Sequence, residues 1–331
     1  MFSKEAVLFF LKDKRGDFVS GEDISRSLSL SRTAVWKHIQ SLKDDGYVIE
    51  GVPKRGYRLI KLPDKLLPSE IRYKLKTTLF DKKIYHFDET GSTNKMAKGE
   101  AAKGAPEGTL FVAEKQVKGK GRLGREWVSP SGGIWFSMVL RPKISPIDAS
   151  KITILAGVAV AKAIEVETGL KVQLKWPNDV LIKGRKVAGI LTEMSAEADK
   201  INFVVVGLGI NANLDVNVFP EELQDKVTTL KEALGVEVDR VALLRVILRE
   251  FEKVYFDLKE GGFEKVLSEW KNLCETLGKH IKISTLEGEI EGEAFDVDQH
   301  GGLLLKLPSG EIRMVYSGDV TQFEINEKEI F

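Results

Sequence analysis

Apolar residues recur at helical spacing over the first forty residues and then alternate with polar ones. Three helices, each with one apolar stripe, are predicted over residues 3–14, 20–28 and 32–43. Two short strands follow at 47–50 and 56–60, joined by the basic turn Pro53-Lys-Arg-Gly56. The pattern therefore predicts a small helical domain that ends in a hairpin.

The third predicted helix has two distinct faces. Ser31 is placed to cap it, and Val35, Ile39 and Leu42 recur on its apolar face. This order of elements, two helices, a turn, a third helix and a basic hairpin, is that of a winged helix-turn-helix. In that fold the third helix would enter the major groove of DNA. We therefore predict that DNA is contacted by Ser31, Arg32, Thr33, Trp36, Lys37, Gln40, Lys54 and Arg55. A protein-interaction domain is the alternative, and Trp36 could belong to the core, although its helix position favours the surface.

The rest of the chain alternates strands with helices and then changes to short strands alone. Strands are predicted at 83–87, 109–114, 133–141 and 203–213, with a hairpin over 175–190 and long helices over 147–168, 238–258 and 263–277. We expect the buried strand from Phe203 to break at Gly207 and Gly209. Alternation from residue 278 predicts a small antiparallel barrel. The fold class is α+β, with a central mixed sheet and helices between a winged helix and a C-terminal barrel.

Proline marks the first boundary. Leu62–Pro68 contains two prolines in seven residues and is typical of a linker, and a short helix over 69–79 is expected to begin the next domain. We predict a winged helix-turn-helix domain over 1–63, a central domain over 64–276 and a C-terminal β domain over 277–331.

A glycine-rich basic stretch, 116–127, stands out in the central part. Residues 115–125 hold five Lys or Arg, three Gly and no acid. Glycines at 119, 121 and 124 let the backbone bend closely around a ligand, and the cations suit an anion such as phosphate. Trp127 offers a face on which a base could stack. The spacing is neither that of a P-loop nor that of a dinucleotide fingerprint, so a mobile basic surface loop is the alternative.

Polar residues also interrupt two other apolar segments. Ser92, Thr93 and Asn94 lie where a strand passes into a helix, so they either cap the helix or hold a polar ligand at its N-terminus. Within the 175–190 hairpin, Asn178 and Asp179 stand opposite Lys186 on the returning strand. A simple hairpin explains the turn, but it does not explain why Asn178, Asp179 and Lys186 occur in otherwise apolar strands.

Composition excludes several classes of protein. The formal net charge is +1, and a single cysteine, Cys274, with four scattered His, argues against disulfides and against a zinc or other protein-only metal centre. The charge-free run 152–161 is too short to span a bilayer. We expect a cytoplasmic protein with no membrane partner.

Four motifs occur in an order that resembles the biotin–protein ligases. They are Gln116-(x)2-Gly-Lys-Gly-Arg-Leu-Gly-Arg, Lys-Trp-Pro-Asn-Asp from 175, Lys-Val-Ala-Gly-Ile-Leu-Thr-Glu from 186 and Gly-Leu-Gly-Ile-Asn from 207. With the winged helix in front, the chain resembles the bifunctional biotin ligases and biotin operon repressors of bacteria. The resemblance implies an SH3-like C-terminal barrel. It also implies ATP-dependent formation of biotinyl-5′-AMP and transfer of biotin to a lysine of a biotin carboxyl carrier protein.

The resemblance also implies a role for individual residues. Biotin would be bound by Ser92, Thr93, Asn94, Gln116, Lys120, Gly121, Arg122 and Lys186. The nucleotide would be bound by Arg122, Trp127, Asn178, Asp179 and Asn211, with Mg²⁺ on the phosphates. Lys186, Arg122 and Asp179 would be catalytic. Asp179 could deprotonate the acceptor lysine or only orient a metal or Lys186.

One position departs from the family, whose loop often has Arg where this chain has Lys120. Lysine keeps the charge but loses the bidentate guanidinium. The resemblance further implies a homodimer that forms at a sheet edge when the adenylate binds and that spans two half-sites of operator DNA. Two alternatives stay open: a ligand-sensing transcription factor without ligase activity, and a ligase for lipoate or another small acid.

Overall fold

A computed structural model describes residues 3–14, 16–285 and 288–322. The chain divides into two compact units, Met1–Lys74 and Leu75–Phe331. Within the described residues, no helix combines the length and apolar character needed to cross a bilayer.

The first unit contains the predicted helices and hairpin. Its elements are α1 (Ser3–Asp13), α2 (Gly21–Leu28), α3 (Arg32–Asp44), β1 (Val48–Val52), β2 (Gly56–Lys61) and α4 (Pro68–Arg72). The strands β1 and β2 pair antiparallel. The apolar stripe of α3 is buried against α1 and α2, as the helical spacing of Val35, Ile39 and Leu42 predicts.

The short helix α4 differs from its predicted extent, 69–79, and lies in the first unit. The carboxylate of Glu70 is buried, accepting from Lys12 Nζ at 2.6 Å and from Tyr47 Oη at 2.7 Å. Arg72 donates to Glu5 at 2.5 Å. Buried charges are tolerated when they are paired in this way, and these pairs fix α4 to α1 and to the residues before β1.

The second unit is built on a seven-stranded mixed sheet in the order β3-β4-β5-β9-β8-β7-β6. The pair β3–β4 is parallel and the other pairs are antiparallel. The strands are β3 (Ile84–Thr90), β4 (Leu110–Gln116), β5 (Ile134–Leu140), β6 (Gln173–Lys175), β7 (Asp179–Ile182), β8 (Arg185–Ala196) and β9 (Ile201–Ile210). The helices are α5 (Thr93–Ala102), α6 (Ala149–Thr168), α7 (Glu221–Gln224), α8 (Leu230–Leu234), α9 (Arg240–Lys259) and α10 (Phe263–Leu273).

The central strand β9 does not break at its glycines, contrary to our expectation. Gly207 and Gly209 pair with both neighbouring strands, and β9 continues to Ile210. Glycine weakens a strand but does not end it when partners on both sides supply the hydrogen bonds. The absence of side chains at these two positions also leaves room for Asn94 and Trp127 on the sheet.

The C-terminal part of the second unit is a five-stranded antiparallel sheet in the order β13-β12-β11-β10-β14. Its strands are β10 (His280–Thr285), β11 (Gly288–Val297), β12 (Leu303–Lys306), β13 (Ile312–Val315) and β14 (Asp319–Gln322). Trp176 connects it to the central sheet, since its backbone N–H donates to Thr276 Oγ1 at 3.1 Å and its indole donates to the Gly301 carbonyl at 3.3 Å. The predicted α+β class, with a helix-turn-helix, a central mixed sheet and a C-terminal β domain, is confirmed.

Candidate functional site

One cavity of about 290 Å³ lies over strands β8 and β9, below the loop 116–127 and beside the start of α5. Twelve residues singled out from the sequence line it: Ser92, Thr93, Asn94, Gln116, Lys120, Gly121, Arg122, Trp127, Asn178, Asp179, Lys186 and Asn211. They come from distant segments of the chain. The fold therefore brings the four motifs to one shared hollow, which we call the first cavity.

One wall of the first cavity is formed by Ser92, Thr93, Asn94 and Gln116, with the buried Ser137 behind them. We call these five residues the amide-hydroxyl cluster. Ser92 is the N-cap residue of α5, yet its side chain makes no capping bond. Gln116 Oε1 accepts from the Thr93 backbone N–H at 2.8 Å and lies 3.1 Å from its hydroxyl. The three residues at the strand-to-helix junction are thus committed to the cavity rather than to helix capping.

Two residues that sequence reasoning missed complete this cluster. Ser137, fully buried on β5, has its hydroxyl 2.8 Å from Thr93 Oγ1 and 2.6 Å from Asn94 Oδ1. Glu193 on β8 accepts from Asn94 Nδ2 at 3.0 Å and from Lys98 Nζ at 2.8 Å. Since a carboxylate only accepts, Glu193 fixes which end of the Asn94 amide faces Ser137. The signal in the sequence that could have identified Ser137 was its position as a single serine in the apolar predicted strand 133–141.

Three glycines form the floor beneath these side chains. A Cβ on Gly207 would lie 2.1 Å from Asn94 Oδ1, and one on Gly209 would lie 2.4 Å from Trp127 Nε1. A Cβ on Gly189 would lie 2.9 Å from the same indole. The bare backbone of β8 and β9 therefore lets Asn94 and the Trp127 ring lie directly on the sheet.

The glycine-rich loop folds back on itself over the cavity. Lys120 and Glu126 form an isolated bridge, and the Gly121 N–H donates to the Arg125 carbonyl at 2.8 Å. Gly119 allows close approach at the base, where a Cβ would lie 2.3 Å from the Trp127 carbonyl oxygen. At the tip, Leu123 has φ of 55° and is 64% exposed. The loop thus supplies the cavity with Lys120 and Arg122 from a tight hairpin.

A second wall of the first cavity is the charged cluster, Arg122, Arg125, Asp179, Lys186 and Asp319. Lys186 Nζ lies 2.6 Å from Asp179 Oδ1 and 5.0 Å from the centroid of the Trp127 ring. Arg122 donates to Asn178 Oδ1 and to the Gly318 carbonyl, both at 3.3 Å. Arg125 Nη1 donates to Asp319 Oδ1 at 3.0 Å. Gly318 and Asp319, from the C-terminal sheet, were not predicted from the sequence.

Burial changes the pKa of Arg122 in the charged cluster. Desolvation lowers the pKa of Arg122 below its ordinary value, and the charges of Asp319 and Asp179 partly offset that change. A guanidinium remains charged at neutral pH despite such a shift. The long contacts of Arg122 and its partial desolvation make it a strong attractor for an incoming anion.

Three buried polar atoms in the first cavity have no hydrogen-bond partner among the described residues: Trp127 Nε1, a donor, and Asp179 Oδ1 and Asn211 Oδ1, both acceptors. Asp179 Oδ1 still has the Lys186 ammonium as an ion-pair partner at 2.6 Å, whereas within the described part of the chain the other two have none. Asn211 Nδ2 is satisfied, since it donates to the Thr228 carbonyl at 3.2 Å. A donor and an acceptor left unpaired in one cavity fit a ligand with hydrogen-bonding edges, because orphaned buried groups are costly.

In the first unit, the predicted DNA-contacting residues lie mainly on the solvent side of α3 and at the hairpin tip. Ser31 Oγ accepts from the Ala34 N–H at 3.1 Å and caps α3, and Trp36 is 53% exposed rather than part of the core. Lys54 and Arg55 are exposed between β1 and β2, with the Arg55 guanidinium 4.2 Å from the Phe18 ring centroid. Glu22 on α2 accepts from Arg32 at 2.6 Å and so orients the start of α3.

Three family models match successive parts of this chain. An HTH domain matches residues 4–58, the Biotin/lipoate A/B protein ligase family matches residues 87–211, and the Biotin protein ligase C terminal domain matches residues 276–321. The order is the same as that of the parts described above.

Relatives match over nearly the whole length. The chain is 45% identical over 305 residues to the bifunctional ligase/repressor BirA of Bacillus subtilis (strain 168), covering 92% of this chain and 94% of that one. It is 31% identical over 307 residues to BirA of Escherichia coli (strain K12), covering 92% and 93%. A solved biotin protein ligase from Aquifex aeolicus, in complex with biotin and ATP, matches with a TM-score of 0.63 at 32% identity, over 72% of this chain and 98% of that one.

Proposed function

The chain belongs to the family of bifunctional biotin–protein ligases and biotin repressors, and from this premise we propose which of its residues carry each activity. The protein is an ATP-dependent biotin ligase with a DNA-binding repressor domain. Biotin and ATP are its substrates. The observation that carries the assignment of residues is the convergence of Ser92, Arg122 and Lys186 on the first cavity.

The amide-hydroxyl cluster would hold the ureido group of biotin. That group is neutral and presents both N–H donors and a carbonyl acceptor, so it needs partners whose orientation is fixed. Ser92 supplies a hydroxyl that is not used for capping, while Gln116 and Asn94 are held in place by Thr93, Ser137 and Glu193. Polar groups oriented before binding lower the cost of ordering a ligand.

The charged cluster would serve adenylation. A biotin carboxylate oxygen attacks the α-phosphorus of ATP, and the bond from that phosphorus to pyrophosphate breaks. Two anions have to meet, so cations must offset their repulsion, and Lys186 and Arg122 are placed in the same cavity to do this. Asp179, 2.6 Å from Lys186, would hold the ammonium in position until the substrates bind.

Mg²⁺ belongs to this proposal as a companion of the ATP phosphates. No group of three or more His, Cys, Asp or Glu that could hold a metal occurs in the part of the chain that the structure describes. Mg²⁺ commonly takes only one or two protein carboxylates together with substrate phosphates. Asp179 fits that role, and the ion would help to neutralise charge on the phosphates.

Trp127, Asn178 and Asn211 would complete the nucleotide site. The indole packs on the glycine floor with the Lys186 ammonium 5.0 Å from its ring centroid, and its ring would contact the adenine. Its Nε1 donor and the Asn211 Oδ1 acceptor are the unpaired atoms that a base or ribose could satisfy. Lys120 and Gly121 would cover the reactive anhydride from the loop and exclude water.

Repression would use the outward residues of α3 and the hairpin tip, in a homodimer on operator DNA. Residues 191–196 of β8 pair with β9 on one side, whereas no described strand pairs with their other side. An unpaired edge is a template for a second copy of the sheet, and a two-fold dimer matches two operator half-sites. We place the protein in the cytoplasm, where ATP, carrier protein and DNA are found together.

A single incubation tests the ligase assignment. The protein, biotin, ATP, Mg²⁺ and a biotin carboxyl carrier domain are combined, and the carrier is expected to gain the mass of one biotinyl group on a lysine. No mass increase, with a carrier domain that a known ligase can modify, would reject the assignment. For repression, biotin plus ATP is expected to tighten operator binding in a gel shift and to convert monomer to dimer in sedimentation.

A further inference from the structure

A second cavity, of about 160 Å³, adjoins the first and shares Arg122, Asn178 and Ile190 with it. Asn178 is fixed between them, because its Nδ2 donates to the Ile190 carbonyl at 2.8 Å while its Oδ1 accepts from Arg122. The second cavity has little more than half the volume of the first, so its size suits a side chain better than a second whole substrate.

The walls of the second cavity combine apolar surface with hydroxyl groups. Ile154, Trp176 and Pro177 supply the apolar part. Thr153 and Thr192 both line it, and their hydroxyls are hydrogen-bonded to each other at 2.8 Å. Such walls suit a lysine side chain, whose four methylenes need apolar contact and whose terminal nitrogen needs hydrogen-bond partners.

The outer and inner parts of this cavity differ in charge. Tyr316 and Ser317 line it and are exposed, so they mark its mouth. Burial first, and then the nearby carboxylates of Asp298 and Asp148, raise the pKa of Tyr316. Two carboxylates therefore lie near the mouth, of which Asp148 is already paired with Lys151 and His300, both at 2.8 Å. At the shared wall, the cation Arg122 favours the neutral amine that a nucleophile must be.

Building on the proposed ligase function, we propose that the second cavity is the entry channel for the acceptor lysine of the carrier protein. The lysine loses one proton to water as it enters and arrives beside Arg122 and Asn178 as a neutral amine. Its nitrogen attacks the acyl carbon of biotinyl-5′-AMP, an amide C–N bond forms, and the acyl C–O bond to AMP breaks with the electron pair leaving on AMP. The proton released from nitrogen passes to the Asp179 carboxylate.

This assignment gives the C-terminal sheet a direct part in transfer. Gly301, Tyr316 and Ser317 supply one side of the channel, and the central sheet and α6 supply the other. The carrier protein would therefore dock where its lysine can enter between these two parts. Adenylation would not require the channel, because biotin and ATP occupy the first cavity. The two half-reactions can be separated on this basis.

Ser317 offers a way to close the mouth in a protein that has already folded. In an S317C variant, benzyl methanethiosulfonate adds a bulky ring by a disulfide that dithiothreitol removes. S309C, in the exposed turn before β13, is the matched control outside the channel. Wild-type protein treated in the same way accounts for the native Cys274. Each sample is measured before modification, after it and after reduction.

Two rates are followed: biotin-dependent ATP–pyrophosphate exchange, and single-turnover transfer from pre-formed adenylate to the carrier domain. We expect modified S317C to keep exchange within about twofold while transfer slows at least tenfold and recovers on reduction. Modified S309C should transfer like wild type. T192C, modified from within the channel, should behave as S317C does and provides an independent test if S317C is impaired before modification.

The channel would be rejected if modified S317C and T192C transferred at their unmodified rates. It would also be rejected if modification reduced exchange and transfer equally, since the label would then act on the first cavity. Failure of unmodified wild-type protein to exchange at all would count against the proposed ligase function, whereas loss only upon modification would count against the channel.

Discussion

The two walls of the first cavity are organised in opposite ways. In the amide-hydroxyl cluster, the side chains of Thr93, Asn94, Gln116 and Ser137 are tied to one another by hydrogen bonds of 2.6–3.1 Å. In the charged cluster, Arg122 makes only long contacts of 3.3 Å. The first wall is thus fixed by short hydrogen bonds between neutral groups. In the second, Lys186 is paired with Asp179 and Arg125 with Asp319, so Arg122 is the cation of this cluster that has most to gain from an anionic ligand.

This difference indicates how the two substrates are recognised. A neutral ureido group gains little from charge and depends on donors and acceptors that are already oriented. A carboxylate and a phosphate gain most from cations in a partly desolvated site. Changes in the charged cluster should therefore affect the chemical step, and changes in the other wall should affect biotin affinity.

Lys186→Ala should reduce activity more than any other substitution considered, because it removes a cation of the charged cluster. We expect ATP–pyrophosphate exchange to fall by roughly 10³-fold, since one of two cations that offset the approach of two anions is removed. The melting temperature should change little, because Lys186 is on the cavity surface. Exchange within a few-fold of wild type would remove Lys186 from the chemistry.

Arg122→Gly should act on retention of the intermediate. Loss of a charged hydrogen-bonding group of this kind costs about 1.5–3 kcal/mol, so the adenylate should escape roughly ten to a hundred times faster. The readout is biotin on lysines of a bystander protein such as serum albumin. An adenylate that stays bound as tightly as in wild type would contradict the role given to the loop.

A pair of glycine variants sharpens the comparison between the walls. Gly207→Ala would displace Asn94 and should raise the KM for biotin about tenfold, a change of ~1.4 kcal/mol. Gly209→Ala would displace Trp127 and should raise the KM for ATP by a similar factor. Each variant serves as the control for the other, because both add one methyl group to β9. Equal effects on both substrates would mean that the walls are not independent.

Glu193→Gln should give the smallest effect. Burial would raise the pKa of Glu193, but hydrogen bonds from Lys98 and Asn94 hold it below its ordinary value. The carboxylate is therefore ionised throughout neutral pH, and its stabilising contribution is lost only as pH falls through that lowered pKa. Glutamine still accepts from Asn94, so the Kd for biotin should rise about twofold to threefold, equally at pH 6 and pH 8. A ratio that varies between those pH values would show that another group responds.

Much of the local structure could be predicted from periodicity. The stripe of Val35, Ile39 and Leu42 identified α3 and its buried face, since a helix of 3.6 residues per turn leaves few other arrangements. The convergence of Ser92, Arg122 and Lys186 is different, because spacing along the chain does not determine distance across a sheet. Only the order of the motifs indicated it.

Residues that support others were the hardest to predict. Ser137 and Glu193 lie in strands whose apolar character dominates the pattern, and neither lines the cavity itself. Ser137 acts through Thr93 and Asn94, and Glu193 acts through Asn94. Gly318 and Asp319 reach the loop from almost two hundred residues away. Such contacts arise from tertiary packing and leave no periodic signal in either segment.

The unbroken course of β9 through Gly207 and Gly209 limits how this enzyme could be altered. Glycine is the smallest residue, so no substitution at positions 207 and 209 can enlarge the cavity. Binding a bulkier biotin analogue would require a smaller residue in place of Asn94, and binding a bulkier purine would require a smaller residue in place of Trp127. A side chain added at position 207 would therefore require a smaller residue at position 94, and one added at position 209 would require a smaller residue at position 127.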